Sequence, residues 1–434
     1  MKYWNQQIET ISRDQLESLQ SERLSKTVAH AWEHCAPYRV KMEKAGLQPG
    51  NIQGINDLTK LPLTLKDDLR DSYPYGMFAV PMSHVVRIHA TSGTTGKQTV
   101  VGYTKGDLDV WNECMARCLT MAGATAADIV HVSYGFALFT GGLGGQGGGE
   151  TIGAATIPAA TGNTKRQLQM FTDFGSTVLL CTPSYAMYLG DAVREAGIKD
   201  QLKLRIGVLG AEAWTEQMRG EIEERLGIRC YDIFGTAELM GPGVSCECAE
   251  RNGLHVMEDH FIVEILDPET KKPLPDGQPG ELVFSCITKE ALPLIRYNTR
   301  DICTIDRKPC TCGRNFTRMG KITGRTDDML IIRGVNVFPS QVESVLLGIP
   351  GAAPHYLLVV DRVSNLDTLE VQAEINADFP FDEVRRVEEL ERRISAELLS
   401  VLGVSAKVTL KPPGSVERFE LKAKRVLDKR KGTN

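Results

Sequence analysis

The chain has 434 residues, 42% of them hydrophobic, enough to bury more than one core, so two or more domains are expected. Fifty Lys and Arg stand against 55 Asp and Glu, a net charge of −5, which excludes an overall basic field for nucleic acid or an anionic membrane and favours a small-molecule substrate. The polar N-terminus MKYWNQQIETISRDQLESLQ lacks the apolar core of a signal peptide, and no run of about 18 apolar residues occurs, so a cytoplasmic protein is expected. Disulfides are not indicated, because several of the eleven cysteines sit in apolar surroundings where a buried thiol is ordinary.

In chain order, residues 6 to 47 carry Ile8, Ile11, Leu16, Leu19, Leu24, Val28 and Trp32 near helical spacing, and Gly46, Pro49 and Gly50 end that region. Thr64 followed by Asp67 resembles a helix start. After the β-branched segment Val85 to Ile88 comes a run with the chemistry of a phosphate-holding loop. Gly93 and Gly96 free the backbone to present amides to an anion, Thr91, Ser92, Thr94 and Thr95 can donate, and Lys97 adds a point charge. A polar hairpin turn is the alternative, and the glycine spacing differs from that of a Walker A loop. Short apolar strands follow at 129–132, 154–157, 177–181, 206–209 and 229–233, separated by helical stretches at 105–122, 164–173, 184–196 and 215–226. That alternation predicts an α/β fold with a largely parallel sheet covered by helices.

The glycine-rich run Thr140 to Glu150 contains a G-x-G-x-x-G spacing that is accidental, since no helix-start residue accompanies it. It reads instead as backbone brought close to a ligand beside Tyr134, Phe136 and Phe139, or as a loop flanked by core aromatics. Residues 261 to 306 read as β-rich. Past Gly324 a small α+β unit follows, with strands at 329–332, 335–337, 356–361, 368–375 and 406–410 and helices at 340–347 and 384–401. Cys248 and His255 lie in one loop and Cys310 and Cys312 in another, a donor set for tetrahedral structural zinc, with Cys246 as a substitute ligand. Incidental thiols in reduced loops are the alternative reading.

Six separated motifs then occur in one order: TSGTTGK at 91 to 97, Gly210-Ala-Glu212, YDIFGTAE at 231 to 238, RYNTRD at 296 to 301, GRTDD at 324 to 328, and a C-terminal Lys422. Together they resemble the adenylate-forming (acyl-CoA synthetase) superfamily, and within it the phenylacetate coenzyme A ligases. The similarity extends over essentially the whole chain and is nearest in GRTDDMLIIRGVNVFPSQVE and TKEALPLIRYNTRD.

The resemblance implies a large N-terminal domain, 1–326, with parallel α/β layers and a β-rich subdomain, and a small mobile α+β domain, 327–434, hinged near Asp327. It implies that Thr91, Ser92, Gly93, Thr94, Thr95, Gly96 and Lys97 clamp the ATP phosphates, and that Glu238 ligates Mg²⁺. Asp301 would accept from the ribose hydroxyls, and Arg325 would reach a phosphate or the ribose. Gly210, Ala211, Glu212, Asp232, Ile233, Phe234, Gly235 and Thr236 would line the adenine and carboxylate sites. The aryl acid would lie against Tyr134, Phe136, Phe139, Gly142, Ala211 and Gly235, and coenzyme A would cross Arg333, Gly334 and Val335. Lys422 would be the cation of the adenylation step. Leu421 replaces the family glycine before it, and Lys424 competes for the role. The implied reaction makes aryl acetyl-CoA, AMP and pyrophosphate in a homodimer; a carrier-protein acceptor, another aromatic acid or a nucleotide-binding protein without turnover are the alternatives.

Overall fold

The first strands of the chain form a hairpin. β1 (Arg87–Ala90) pairs antiparallel with β2 (Val100–Tyr103), and the Thr91 N–H donates to the Thr99 carbonyl at 3.0 Å where the loop leaves the pair. The computed structural model describes residues 2–91, 98–327, 330–333, 335–363, 366–376, 379, 383–416 and 425–430. They fall into two units, residues 1–211 with 222–322, and residues 212–221 with 323–434.

The predicted apolar runs of the first unit become neighbouring strands. β3 (Ile129–Val132), β4 (Ala155–Ile157), β5 (Val178–Cys181), β6 (Ile206–Gly210) and β7 (Arg229–Thr236) pair in parallel in the order β4-β3-β5-β6-β7. Nearly every side chain of β5 and β6 is buried, as a sheet covered on both faces requires. The sheet then continues antiparallel, which the spacing did not anticipate. β7 returns through a short turn into β8 (Gly241–Glu247), followed by β9 (Leu254–Val256), and a connection that short can only join antiparallel neighbours. A second, antiparallel sheet joins β10 (Phe261–Leu266), β11 (Gly280–Cys286) and β12 (Tyr297–Cys303), the β-rich stretch expected at 261–306. β13 (Ile305–Asp306) and β14 (Arg318–Met319) then return to the edge of the first sheet, where Arg318 lies opposite His255 of β9.

Helix ends follow side-chain chemistry. Ser12 and Gln15 close a capping box at the start of Arg13–His34, Thr104 and Asp107 close another at Lys105–Met121, and Thr182 caps Pro183–Ala196 with proline at the first position. Thr64 does not cap. It is fully buried, its hydroxyl bonded to the Ile295 carbonyl at 2.6 Å and to Tyr38 at 2.9 Å, and the helix there begins at Lys66.

The run Thr140 to Glu150 is a helix, Thr140–Thr151, and this overturns its reading as a loop. Glycine disfavours a helix by roughly 1 kcal/mol per residue relative to alanine, so packing must supply the difference. A Cβ at Gly144 would stand 2.7 Å from the Trp111 ring, at Gly148 2.5 Å from Met115, and at Gly145 2.9 Å from Leu180. The glycines let this helix lie against Lys105–Met121 and the sheet at a distance no side chain permits.

The second unit has its own core. Strands Lys407–Lys411, Leu366–Ile375, Ala352–Val363 and Val426–Asp428 form one sheet in that order, and helices Pro339–Leu347 and Val384–Leu402 bury Val342, Leu346, Ile394 and Leu398 with Leu358, Val360, Val371 and Ala373. A hairpin of Leu330–Ile332 and Val335–Val337 belongs to it. Among the described residues no helix is long and apolar enough to cross a membrane.

Candidate active site

A closed circuit of contacts in the first unit joins motifs that are far apart in sequence. From the β1–β2 hairpin, the Ala90 N–H donates to the Leu138 carbonyl at 3.2 Å and buried His89 places Nδ1 3.0 Å from the same oxygen. The aromatic stretch holding Leu138 continues to Tyr134, whose hydroxyl accepts from the Gly210 N–H at 3.1 Å. Gly210 lies opposite Ile233 in the β6–β7 pair, and a Cβ there would fall 2.0 Å from the Ile233 carbonyl oxygen, so only glycine lets the strands meet. Ala211 follows at φ +72°, turning the chain away at the C-terminal end of the parallel strands, where open α/β sheets bind ligands.

β7 runs through Asp232, whose N–H donates to Glu247 at 2.8 Å, and Phe234, stacked on Phe284 at 6.0 Å, to Gly235 and Thr236. A Cβ at Gly235 would stand 1.9 Å from the Gly241 carbonyl. The turn after Thr236 carries Glu238, 4% exposed, with Lys66 Nζ 3.2 Å from its carboxylate. Lys289 and Tyr103 hold that turn from beneath. Lys289 Nζ donates to the carbonyls of Glu238 at 3.1 Å and Leu239 at 2.8 Å and lies 4.6 Å from the Tyr103 ring; Tyr103 Oη donates to the Met240 carbonyl at 3.1 Å. Tyr103 ends β2, so the circuit closes on the hairpin where it began.

The β12 strand joins through the helix of Lys66. Thr64 bridges Tyr297, Arg300 lies 3.7 Å from Asp67, and buried Asp301 takes its place in the same strand with its N–H on Thr299 Oγ1 at 3.1 Å. Arg296 of the same motif is structural: it sits at φ +48° and forks onto Glu264 at 2.9 and 3.0 Å. On the aromatic side the Tyr134 and Phe139 rings are 6.4 Å apart, and a Cβ at Gly142 would press the Phe136 ring at 2.8 Å.

The circuit thus gathers Thr91, Tyr134, Gly210, Ala211, Ile233 and Glu238, with Asp301 on the adjoining strand. Glu212 falls in the second unit. There, Arg325 forks onto Asp327 at 2.9 and 3.0 Å, and Arg333, at φ +50°, donates to the carbonyl and hydroxyl of Ser405 at 2.7 and 3.0 Å; Val335 opens a strand. Ser92 to Lys97, Gly334, Leu421, Lys422 and Lys424 lie outside the described residues. Lys66 and Lys289 escaped the sequence reading, because a lysine beside Asp67 or Glu290 reads as solvated surface. Burial pushes the Lys289 ammonium below its usual value.

Apart from the circuit, Cys248, His255, Cys310 and Cys312 are all buried, with one ligand atom of each within 4.8 Å of the others. Cys248 Sγ is 3.9 Å from Cys310 Sγ, too far for a disulfide. Hydrogen bonds accepted from Cys248 and then from His255 hold the Cys312 thiol far below its ordinary value, whereas the same contact with Cys312, and then burial, hold Cys248 above it. Cys246, the substitute ligand, instead points its thiol to the Cys118 carbonyl at 3.8 Å.

Comparison with known proteins agrees with this geometry. Residues 38–287 match the family model for AMP-binding enzyme, and residues 334–430 match that for AMP-binding enzyme C-terminal domain. The chain is 49% identical to the phenylacetate-coenzyme A ligase of Thermus thermophilus (98% of this chain, 99% of that protein) and 47% identical to that of Escherichia coli (98% and 97%). A crystal structure of 2-hydroxyisobutyryl-CoA ligase in the postadenylation state with 2-HIB-AMP superposes with a TM-score of 0.93 at 29% identity, over 99% of this chain and 93% of that one.

Proposed function

The chain belongs to the phenylacetate-coenzyme A ligase family of AMP-binding enzymes, and from that premise we propose that it adenylates phenylacetate or a close aryl acetic acid and passes the acyl group to coenzyme A. The observation that carries the reading is the circuit of contacts around Glu238, Gly210 and Tyr134 in a chain that matches these AMP-forming acid:thiol ligases over nearly its full length.

In the first step a carboxylate oxygen of the acid bonds to the α-phosphorus of ATP and the bond to pyrophosphate breaks. Two anions must be held together, so positioning and charge neutralisation supply most of the acceleration. The hairpin loop from Thr91 to Lys97 would clasp the phosphates, Asp301 the ribose, and Gly210 to Glu212 with Asp232 to Thr236 the adenine and the carboxylate. Glu238 fits a divalent cation: its buried carboxylate is a hard oxygen donor that already draws the ammonium of Lys66. Mg²⁺ bound there would neutralise phosphate charge. Lys422 is the proposed cation for the α-phosphate and the attacking oxygen, and Arg325 a second contact to nucleotide. In the second step the coenzyme A sulfur bonds to the acyl carbon, AMP leaves with its oxygen, and the thiol proton is lost to solvent. Arg333, Gly334 and Val335 are the proposed path of coenzyme A, and Asp327 the hinge between domains 1–326 and 327–434.

Tyr134, Phe136, Phe139 and Gly142 are proposed to face the aryl ring, since apolar walls on a glycine floor suit flat rings. We also propose zinc at Cys248, His255, Cys310 and Cys312 as an ion that takes no step in the reaction, and a cytoplasmic homodimer; a gel-filtration mass of one chain would remove the dimer. The functional test is mass spectrometry of a reaction holding phenylacetate, ATP, Mg²⁺ and coenzyme A. Phenylacetyl-CoA and AMP in equal amounts are expected. No acyl-CoA from phenylacetate, its hydroxylated forms, indoleacetate or benzoate would defeat the proposal.

A further inference from the structure

We propose that the Cys/His centre, loaded with zinc, is the anchor of the N-terminal segment, and that Arg314 links the centre to Glu9. The inference rests on the zinc reading above and goes beyond it. Zinc ligated tetrahedrally by thiolate sulfur at about 2.3 Å and imidazole nitrogen at about 2.0 Å separates two sulfurs by about 3.8 Å and a sulfur from a nitrogen by about 3.5 Å. Cys248 Sγ to Cys310 Sγ is 3.9 Å, and Cys312 Sγ to His255 Nε2 is 3.5 Å. Those two pairs already stand at the separations the ion demands, all four ligand atoms lie within 4.8 Å of one another, and three sulfurs with one imidazole suit zinc better than a hard cation. One ion there would tie the turn after β8 and strand β9 to the loop before β14.

The consequence lies one shell further out. Arg314 is 2% exposed and Glu9 0% exposed. Arg314 Nη1 points to Cys312 Sγ at 3.7 Å, Nε donates to Glu9 Oε2 at 2.7 Å, and Nη2 donates to the Lys2 carbonyl at 2.8 Å. Glu9 Oε1 in turn accepts from the Trp4 and Asn5 N–H groups, each at 2.8 Å. Tyr3 donates its hydroxyl proton to the Cys312 carbonyl at 2.9 Å, with the Arg314 guanidinium 4.7 Å from its ring. Gly313, at φ +92°, makes room for it, since a Cβ there would fall 2.4 Å from Tyr3 Oη. Lys2, Tyr3 and Glu9 are therefore stitched to Cys312 and Arg314, and Trp4 and Asn5 to Glu9.

Charge explains why the metal matters to those bonds. Three thiolates around Zn²⁺ leave a net charge of −1, which a buried guanidinium neutralises while donating to sulfur, the arrangement outer-shell partners of a metal ligand adopt. Arg314 then offers Glu9 a partner whose own burial is compensated. Without the ion, no ligand bonds fix the loop of Cys310 and Cys312 to Cys248 and His255, and the Arg314–Glu9 pair that hangs from that loop is held by its own contacts alone.

The test uses the full chain and hydrogen exchange of the peptide spanning Lys2 to Ser12, with zinc content by inductively coupled plasma mass spectrometry. One zinc per chain is expected, and stripping it with a chelator should speed exchange at Trp4 and Asn5 by about tenfold or more, as a local opening does. Added Zn²⁺ should restore protection. Glu9→Gln should keep the zinc and still exchange quickly at those amides. Zinc present but exchange unchanged on its removal would overturn the anchor while leaving the ion; no zinc retained after growth in, or refolding with, Zn²⁺ would overturn both. Acid-dependent pyrophosphate release measured on the same samples reports on the ligase reading separately, because no catalytic group is altered in any of them.

Discussion

Lys289→Met would remove the ammonium that holds the turn of Glu238 and leave a side chain of similar length. Lys289 is 2% exposed, donates to two carbonyls at 2.8 and 3.1 Å, and lies over the Tyr103 ring. Hydrogen bonds from a charged donor contribute about 1.5 to 3 kcal/mol each and a desolvated cation–π contact about 2 kcal/mol. Several kcal/mol of desolvation offset them, because a buried ammonium has left water. The net loss is about 2 to 3 kcal/mol. In a unit of this size that lowers the midpoint of thermal unfolding by roughly 3 to 5 °C. Because both freed carbonyls flank Glu238, the Mg²⁺ concentration for half-maximal pyrophosphate release should also rise about tenfold, or about 1.4 kcal/mol. Differential scanning fluorimetry and a Mg²⁺ titration of pyrophosphate release measure the two effects. A variant with unchanged midpoint and unchanged Mg²⁺ dependence would refute the claim that Lys289 holds Glu238 in place.

Glu238→Gln keeps the shape of the side chain and removes its charge, so pyrophosphate release should fall about 10²- to 10³-fold in saturating ATP; a loss under tenfold would take Glu238 out of the metal-holding role. His131 is buried with Nε2 2.7 Å from Gln167 Oε1 and Nδ1 3.1 Å from Ser176 Oγ, and burial pushes its pKa down to about 4. Its folded value lies below the unfolded value of about 6.5, so its contribution is complete above pH about 6.5 and is lost as pH falls toward 4. Urea unfolding at pH 7 and 4.5 should show the native protein losing about 2 to 3 kcal/mol more than His131→Gln over that interval, and equal losses would mean that the ring is protonated in the fold.

Much of this was legible in the sequence because the residues act locally. The apolar runs of β3, β5 and β6 became the centre of the parallel sheet, and the stretch Thr164 to Asp173 is a helix over the range its sequence pattern predicts. Cys-Thr-Cys-Gly at 310 to 313 read as a knuckle, and its two thiols do meet Cys248 and His255. What escaped depends on partners distant in sequence. The helix Thr140–Thr151 defies glycine's propensity because Trp111, Met115 and Leu180 leave no room for anything larger. Lys66 and Lys289 acquire meaning only when the turn at Glu238 is folded beside them. Arg296 belongs to a recognisable motif, yet its guanidinium serves the fold through Glu264, while Asp301 five residues later is the proposed ribose contact. The antiparallel half of the large sheet was hidden because Gly241 to Glu247 carries no long apolar run, and its place as a strand comes from pairing with β7 and β9.

The central claim is a two-step ligation in which Lys422 serves only the first step. It is tested most directly by following pyrophosphate release and thioester formation together, for native protein and Lys422→Ala, with ATP, Mg²⁺ and phenylacetate, and again with synthetic phenylacetyl adenylate in place of acid and ATP. The account predicts acid-dependent pyrophosphate release that the substitution slows by about 10²-fold or more, with thioester formation from the adenylate and coenzyme A nearly unchanged. Equal loss in both steps, or acid-independent release by the native protein, would contradict it.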